Sequence, residues 1–553
     1  MQRRLFLFML LLSGVDMACN VPQKIVQTDD SPPPLFDGLG HHQRAITTTS
    51  FEARDYFNQG MTWAYAFNHD EAIRSFREAA RLDPYCAMAW WGIALCNGPH
   101  INNPVMTEKQ SRDAWEAIQK AMALRDNASY LESQLIEALA ARYAANPPSD
   151  RRNLDEAYAA AMKVVHELDI NDADNGTLYA ESLMDLQPWD LWTRDGQPKG
   201  RTEEILAVLE HALKINPQHP GANHLYIHAT EASPFPEKAD ASAELLRTLV
   251  PASGHLVHMP SHIDVQVGRW AKASDQNEAA IRADAAYRKV SPRQGFNNVY
   301  MAHNHHFLAF AAMMEGRRQV ALDAARTMIA NVPPDFLRDQ PQFVDPYMMI
   351  ALDVLKRFGR WDDILREPSP PRNLPITRAM HLFTRGLAYA AKGNLKRASR
   401  EQEKFRAAVA KVPKDALMAI NPAHKVLSIA DHMLAGEIAF RRGDIEEAVR
   451  LLREGVRLED ELLYMEPPEW VQPLRHTLGA VLVNAKRYAE AEQVYREDLK
   501  NWPDNAWSLF GLAQCLDAQE RTAEAADARK RFDTVWARAD IKIGTSCLCV
   551  QGH

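Results

Sequence analysis

Residues 56–84 read YFNQGMTWAYAFNHDEAIRSFREAARLDP, with Tyr56, Gly60, Trp63, Ala72, Phe76, Ala79 and Pro84 spaced as a pair of antiparallel helices requires. The small residues let two helices approach, the aromatics fill the space between them, and the proline ends the second helix. The pattern returns near the other end as Leu478-Gly479, Leu482, Ala491, Tyr495 and Pro503, followed directly by Trp507, Gly511 and Ala523. Weaker copies fill most of the interval, so a period of about 34 residues gives about eight to ten helix pairs between Tyr56 and Trp536. A chain of 553 residues is too long for one core but suits an array that grows by whole units. Its 46% hydrophobic and 25% charged residues, with tracts such as Glu137-Ala-Leu-Ala-Ala-Arg142, favour helix, and strand signals are nearly absent. The chain reads as all-α.

This spacing resembles the tetratricopeptide repeat (TPR), which implies a TPR-type α-solenoid, a right-handed superhelix of helix pairs. Interruptions at Pro188-Trp-Asp-Leu-Trp192 and at 368–375 break the period. The organisation follows: 1–19 a signal peptide, 20–50 a linker, 51–196 N-terminal units, 197–332 histidine-rich units, 333–375 an irregular connection and 376–545 C-terminal units. Four phrases, Tyr65-Ala-Phe-Asn-His-Asp-Glu-Ala-Ile-Arg-Ser-Phe76, Ala87-Met-Ala-Trp-Trp-Gly-Ile93, Met259-Pro-Ser-His-Ile-Asp264 and Trp507-Ser-Leu-Phe-Gly-Leu-Ala513, resemble a group of exported bacterial TPR proteins. The likeness covers most of residues 35–545 and implies the fold, with no settled activity attached.

Arg3 and Arg4 precede the apolar run Leu5-Phe-Leu-Phe-Met-Leu-Leu-Leu12, the make-up of an export signal. The arginine pair is also compatible with a twin-arginine signal, and Ala18-Cys19 with lipoprotein cleavage, although Asp16 and Met17 depart from that pattern. The expected location is periplasmic or exported, with membrane attachment only through a lipid on Cys19. Six cysteines make no disulfide framework. Cys86, Cys96 and Cys515 fall in helical pattern as inert buried thiols, whereas Cys547-Leu-Cys549 can close a bridge or touch a soft metal. A net charge of −8 leaves no basic face for nucleic acid, and no Gly-rich phosphate loop, Gly-x-Ser-x-Gly elbow or Cys-x-x-Cys pair is present.

Histidine comes in three bursts, His224-Leu-Tyr-Ile-His228, His255-Leu-Val-His258-Met-Pro-Ser-His262 and His303-Asn-His305-His306. With Ala239, Ala273 and Ala321 each taken as position 20 of a unit, His224, His258 and His306 fall at position 5. His228 and His262 fall at position 9, His255 and His303 at position 2, and Glu231 at position 12. Gly268 and Gly316 both land at position 15, the turn, which supports the register. Spacings of three, four and three put these residues on one stripe of the first helix, apart from the packing positions. The TPR resemblance implies that this stripe lines a concave groove.

Imidazole is a ligand for zinc, copper, nickel and iron, and a helical His-x-x-x-His pair offers two donors on one face. His224, His228, His255, His258, His262, His303 and His306 are therefore candidate ligands of a transition metal ion, with copper, zinc or iron in view. Nearby Met259, Met301, Met313 and Met314 would favour copper if a thioether joined in. Glu231 can complete a coordination sphere, orient a ligand or act as general base on bound water. His41-His42 read as surface residues, with folding over the groove as the alternative, His69 as part of a capped turn, and Glu466-Pro-Pro-Glu469-Trp470 as a rigid lead-in to the later repeats. Three functions stay open: a groove-bound metal centre with or without hydrolytic or oxidative activity, a scaffold gripping a protein or peptide, and a metal carrier.

Overall fold

The computed structural model describes residues 32–292 and 295–550; Arg3, Arg4, the apolar run that follows them and Cys19 lie outside the described residues. The protein is all-α and built of TPR-type helix pairs, with one two-stranded β-turn, Leu417–Met418 against Asn421–Pro422, as the sheet among the described residues. It divides into two compact units, Met1–Ile263 with Ala279–Met301, and Asp264–Glu278 with Ala302–His553. No helix among the described residues is long and apolar enough to cross a membrane.

The first unit begins with the pair Phe51–Tyr65 and His69–Leu82. Phe76 is wedged between two glycines: a Cβ on Gly60 would lie 2.6 Å from its ring, and one on Gly92 in the helix Ala87–Asn97 would lie 2.7 Å from it. The repeat thus spends glycine where an aromatic ring must touch backbone on both sides. Later pairs in this unit include Ala173–Met184 with Thr202–Ile215 and Pro220–Thr230 with Asp240–Leu249, followed by the short helix Gly254–His258. Residues 32–50 carry no helix. They are held by Phe36 N–H donating to Gln59 Oε1 at 2.8 Å and by buried Arg44, which donates to Asn175 Oδ1 at 3.0 Å.

The second unit repeats the same packing logic. Tyr495 of the helix Tyr488–Asn501 is pressed between Gly479 and Gly511, where added Cβ atoms would lie 2.4 and 2.2 Å from its ring. Residues 333–375 hold short helices, among them Ile350–Arg357 and Trp361–Arg366, turned at Gly359. Asp345 accepts from the backbone N–H groups of Ile376 and Thr377 at 2.8 and 2.9 Å, which starts the helix Pro375–Ala391. Cys547 and Cys549 are joined in a buried disulfide, while Cys86, Cys96 and Cys515 are buried free thiols.

In six of the helix pairs a left-handed turn residue sits five positions before an alanine of the second helix. Gly268, Gly316, Gly393, Gly443, Lys486 and Glu520 occupy it with φ between +60° and +85°. In the first pair the same position, before Ala72, is taken by Phe67 at φ +56°. A bulky side chain is disfavoured there by sterics, so its presence asks for a reason outside the turn.

Candidate metal centre

The helix Pro220–Thr230 is short and buried on every side. His219 caps it by accepting the Ala222 N–H on Nδ1 at 3.0 Å, and Pro220 follows at the first helical position. The next helix, Gly254–His258, is capped by Ser253, whose Oγ accepts the Leu256 N–H. These two helices bring His224, His228 and His255 together, with ligand nitrogens all within 4.8 Å of one another. Their exposures are 0, 5 and 4%, so they are interior residues rather than the lining of an open groove. The cover comes from outside the repeat pattern. Phe67 packs on His224, His228 and His255 with ring centroids 4.5, 6.4 and 5.9 Å away; Trp189 meets His228 edge-on at 5.1 Å; and Tyr300 lies 4.3 Å from His255.

Hydrogen bonds behind the rings decide which nitrogen faces the centre. His224 Nδ1 lies 2.8 Å from the Tyr65 carbonyl, which only accepts, so Nδ1 holds the proton and Nε2 presents its lone pair. His228 Nδ1 donates to Glu231 Oε1 at 3.1 Å, and its buried Nε2 has no hydrogen-bond partner among the described residues. His255 Nε2 lies 3.1 Å from His224 Nε2. Two nitrogens bound to one tetrahedral ion at roughly 2.0–2.1 Å stand about 3.3 Å apart, close to that separation. Burial, with the charge of neighbouring imidazoles, holds His224 well below the ordinary histidine pKa. Burial likewise lowers His228 despite Glu231 beside it. Both rings are neutral at physiological pH, as ligands must be.

Glu231 stands behind the imidazoles. Its Oε1 serves His228, and its Oε2 lies 2.7 Å from His262 Nδ1. Burial alone would raise its pKa, but the two imidazoles outweigh burial and hold it at about 2. Of the three roles open to Glu231 from sequence, this geometry matches the one that orients ligands. His262 Nε2 faces His258 Nε2 at 2.8 Å, and His258 Nδ1 lies 3.3 Å from Ser261 Oγ, which itself donates to the His258 carbonyl at 2.7 Å. His303 and His306 belong to the second unit, where they line a small cleft with Tyr347, Met349, Met465 and Glu469. The Met301 sulfur accepts from Arg288 Nε at 2.9 Å, and Met259, Met313 and Met314 are core residues.

Another cluster escaped the sequence reading. His42, placed there on the surface, turns a 4%-exposed side chain to within 3.2 Å of Asp174 Oδ1. Asp174 also accepts from Tyr65 Oη at 2.5 Å and His219 Nε2 at 3.1 Å, and Arg44 Nη1 lies 3.3 Å from its second oxygen. Burial would raise the Asp174 carboxyl, yet the surrounding imidazoles hold it well below the usual range. His219 uses Nδ1 as an acceptor and Nε2 as a donor to Asp174, which braces that carboxylate, while His42 Nε2 makes no hydrogen bond among the described residues and His42, Asp174 and His219 lie close enough together to hold an ion. The function of Asp174 in the fold is to fix Tyr65, whose carbonyl aligns His224. Gly221 permits the approach, since a Cβ there would lie 2.3 Å from the Tyr65 ring. The Trp-rich interruption of the repeat does related work: Trp192 Nε1 donates to the Ala229 carbonyl at 2.8 Å, beside His228.

No family model matches the chain, and no curated protein matches it. Similar solved structures include the human IFIT1 dimer with m7Gppp-AAAA, at 13% identity over 89% of this chain and 91% of that one with a TM-score of 0.33. The APC/C hetero-tetramer Cut9-Hcn1 is similar at 14% identity over 89% and 75%, with a TM-score of 0.29. At such scores the likeness adds nothing to what the helix pairs themselves establish.

Proposed function

We propose that this helical-repeat protein is a metalloprotein whose first unit holds one transition ion of the zinc, copper or iron class on the Nε2 atoms of His224, His228 and His255. The observation that carries the reading is His228: a buried imidazole whose Nδ1–H is committed to Glu231 and whose Nε2 lone pair points at two further imidazoles without a hydrogen-bond partner. Leaving such an acceptor buried costs about 1–3 kcal/mol, which an ion offsets many times over. Three neutral nitrogens leave a coordination position for water or substrate, the arrangement from which metal-assisted hydrolysis or oxidation begins, and the same donors serve a carrier. Burial of the stripe disfavours these histidines as peptide contacts.

The same reading places the protein outside the cytoplasm. The Arg3-Arg4 signal supports it, and so does the Cys547–Cys549 disulfide, since such bonds persist in oxidising compartments. The deciding experiment is elemental mass spectrometry on the untagged, exported full-length chain. Near-stoichiometric metal is expected, with loss in His228→Ala at unchanged helical circular dichroism. A wild-type protein that is metal-free, and stays so after dialysis against zinc, copper and iron salts, sinks the proposal.

A further inference from the structure

The helix Ala173–Met184 ends on a pair of acids, Glu181 and Asp185, which stand four residues apart and so share one face. A carboxylate at a helix C-terminus opposes the helix dipole, so the pair does not serve the helix that carries it. Both line a small cleft in the first unit, with Ala64, Leu95, Pro99 and Leu178 as apolar walls. Buried Arg142 donates from Nη2 to Asp185 Oδ2 at 2.6 Å and from Nε to Asp155 Oδ1 at 3.1 Å, and lies over the Tyr158 ring at 4.7 Å. Asp185 Oδ1 is left buried with no hydrogen-bond partner among the described residues, on a side chain that is 4% exposed. Burial raises both carboxyls well above the ordinary range, Glu181 further through the Asp185 charge, and Arg142 offsets only part of this. His69 also lines the cleft, and burial holds it at about 4, so it adds no positive charge at neutral pH. Two guanidiniums, Arg142 and Arg151, thus stand against three acids, Asp155, Asp185 and Glu181. One more positive charge would complete the set.

We propose that this cleft binds the ammonium head of a small primary amine, held by Glu181 and by the open Oδ1 of Asp185, with its aliphatic body against the apolar walls. An ammonium is a compact charge with three donors, which suits two carboxylates and leaves one N–H for solvent. The helix C-terminus behind the acids favours a cation as well. A divalent metal fits poorly: it asks for about six oxygens or more, and the guanidinium 2.6 Å from Asp185 Oδ2 repels it. A quaternary amine has no N–H to donate. The site is separate from the three histidines and stands without an ion on them. Tyr65 serves both, since it lines the cleft and gives its carbonyl to His224. The rival occupant is a proton shared by the two acids, which needs no ligand.

The test is calorimetry on the full-length protein with a series from methylammonium to n-butylammonium chloride, and with 1-butanol as the uncharged probe. At least one amine of the series should bind with a roughly millimolar dissociation constant, while 1-butanol and tetramethylammonium should not bind. The bound ammonium needs both acids ionised. Binding at about pH 6.5 should therefore release protons, read from the buffer dependence of the heat, and at about pH 9 should release almost none. Glu181→Gln should weaken binding by about 10-fold or more, with circular dichroism and bound metal unchanged. Asp185→Asn should do the same, and Glu181→Gln carries the test alone if the loss of the Arg142 partner unfolds that variant. Failure of every amine to bind better than 1-butanol, the result a shared proton would give, overturns the proposal, as does wild-type affinity in Glu181→Gln. Either failure leaves the histidine centre standing.

Discussion

Phe67 shows how a single residue can work against its local backbone and still stabilise the protein. Its left-handed turn costs about 1–2 kcal/mol for an L-residue, whereas a buried phenylalanine ring contributes about 3–5 kcal/mol against truncation. The ring wins. Phe67→Gly should relieve the turn yet lower stability by about 2 kcal/mol in urea denaturation, and should speed metal release in a chelator-competition assay. A gain in stability would show that the ring contributes little. Histidine spacing made part of this legible, because i, i+4 geometry gives His224 beside His228 and His258 beside His262. The partners behind the rings were not legible. The Tyr65 carbonyl lies 159 positions from His224, and tertiary packing alone brings it there. His42 was missed for the same reason, since nothing local predicts that Asp174 will meet it.

At the scale of elements, glycine sets how closely helices pack. Gly511 allows the helix Ala506–Ala518 to lie against Tyr495, and a methyl group there would sit 2.2 Å from the ring. Gly511→Ala should therefore cost about 1–3 kcal/mol through overpacking. Gly393→Ala, at φ +74° with open space around it, should cost only about 1 kcal/mol of backbone strain. Comparing the two denaturation midpoints checks the distinction; equal losses would mean that the ring moves aside. The helix pairs were legible because these small and aromatic positions recur along the chain. The segment Pro188–Trp192 was legible only as a break in period. Its role as a cover on the helix Pro220–Thr230 depends on Trp189 and Trp192 finding His228 and the Ala229 carbonyl, which no periodicity encodes.

For the molecule as a whole, buried charge decides acid sensitivity. In the second unit Asp498 accepts from His476 Nε2, Ser508 Oγ and Asn505 Nδ2 at 2.8, 2.7 and 2.9 Å. Burial would raise its carboxyl, but His476 and the hydroxyl donor hold it below the ordinary range. Its folded pKa thus lies under its unfolded value of about 3.9, so its stabilisation is present above that pH and is lost as pH falls through the folded value. Asp498→Asn should cost about 3–5 kcal/mol at pH 7. The gap from wild type should close below about pH 4 in melting curves taken across pH, and a gap that stays constant would contradict the assignment. Repeat arrays change length by gaining or losing whole units, because each unit touches only its neighbours. The first pair does not share that freedom. A recombination that merged it with a later pair would exchange Phe67 for the glycine, lysine or glutamate found at the same turn elsewhere. The Ala506 end is tied as well, since Trp507 Nε1 donates to the Met313 carbonyl and Trp270 Nε1 to the Pro503 carbonyl, both at 2.9 Å, so copy number is held at one end by an aromatic ring and at the other by two indole N–H groups.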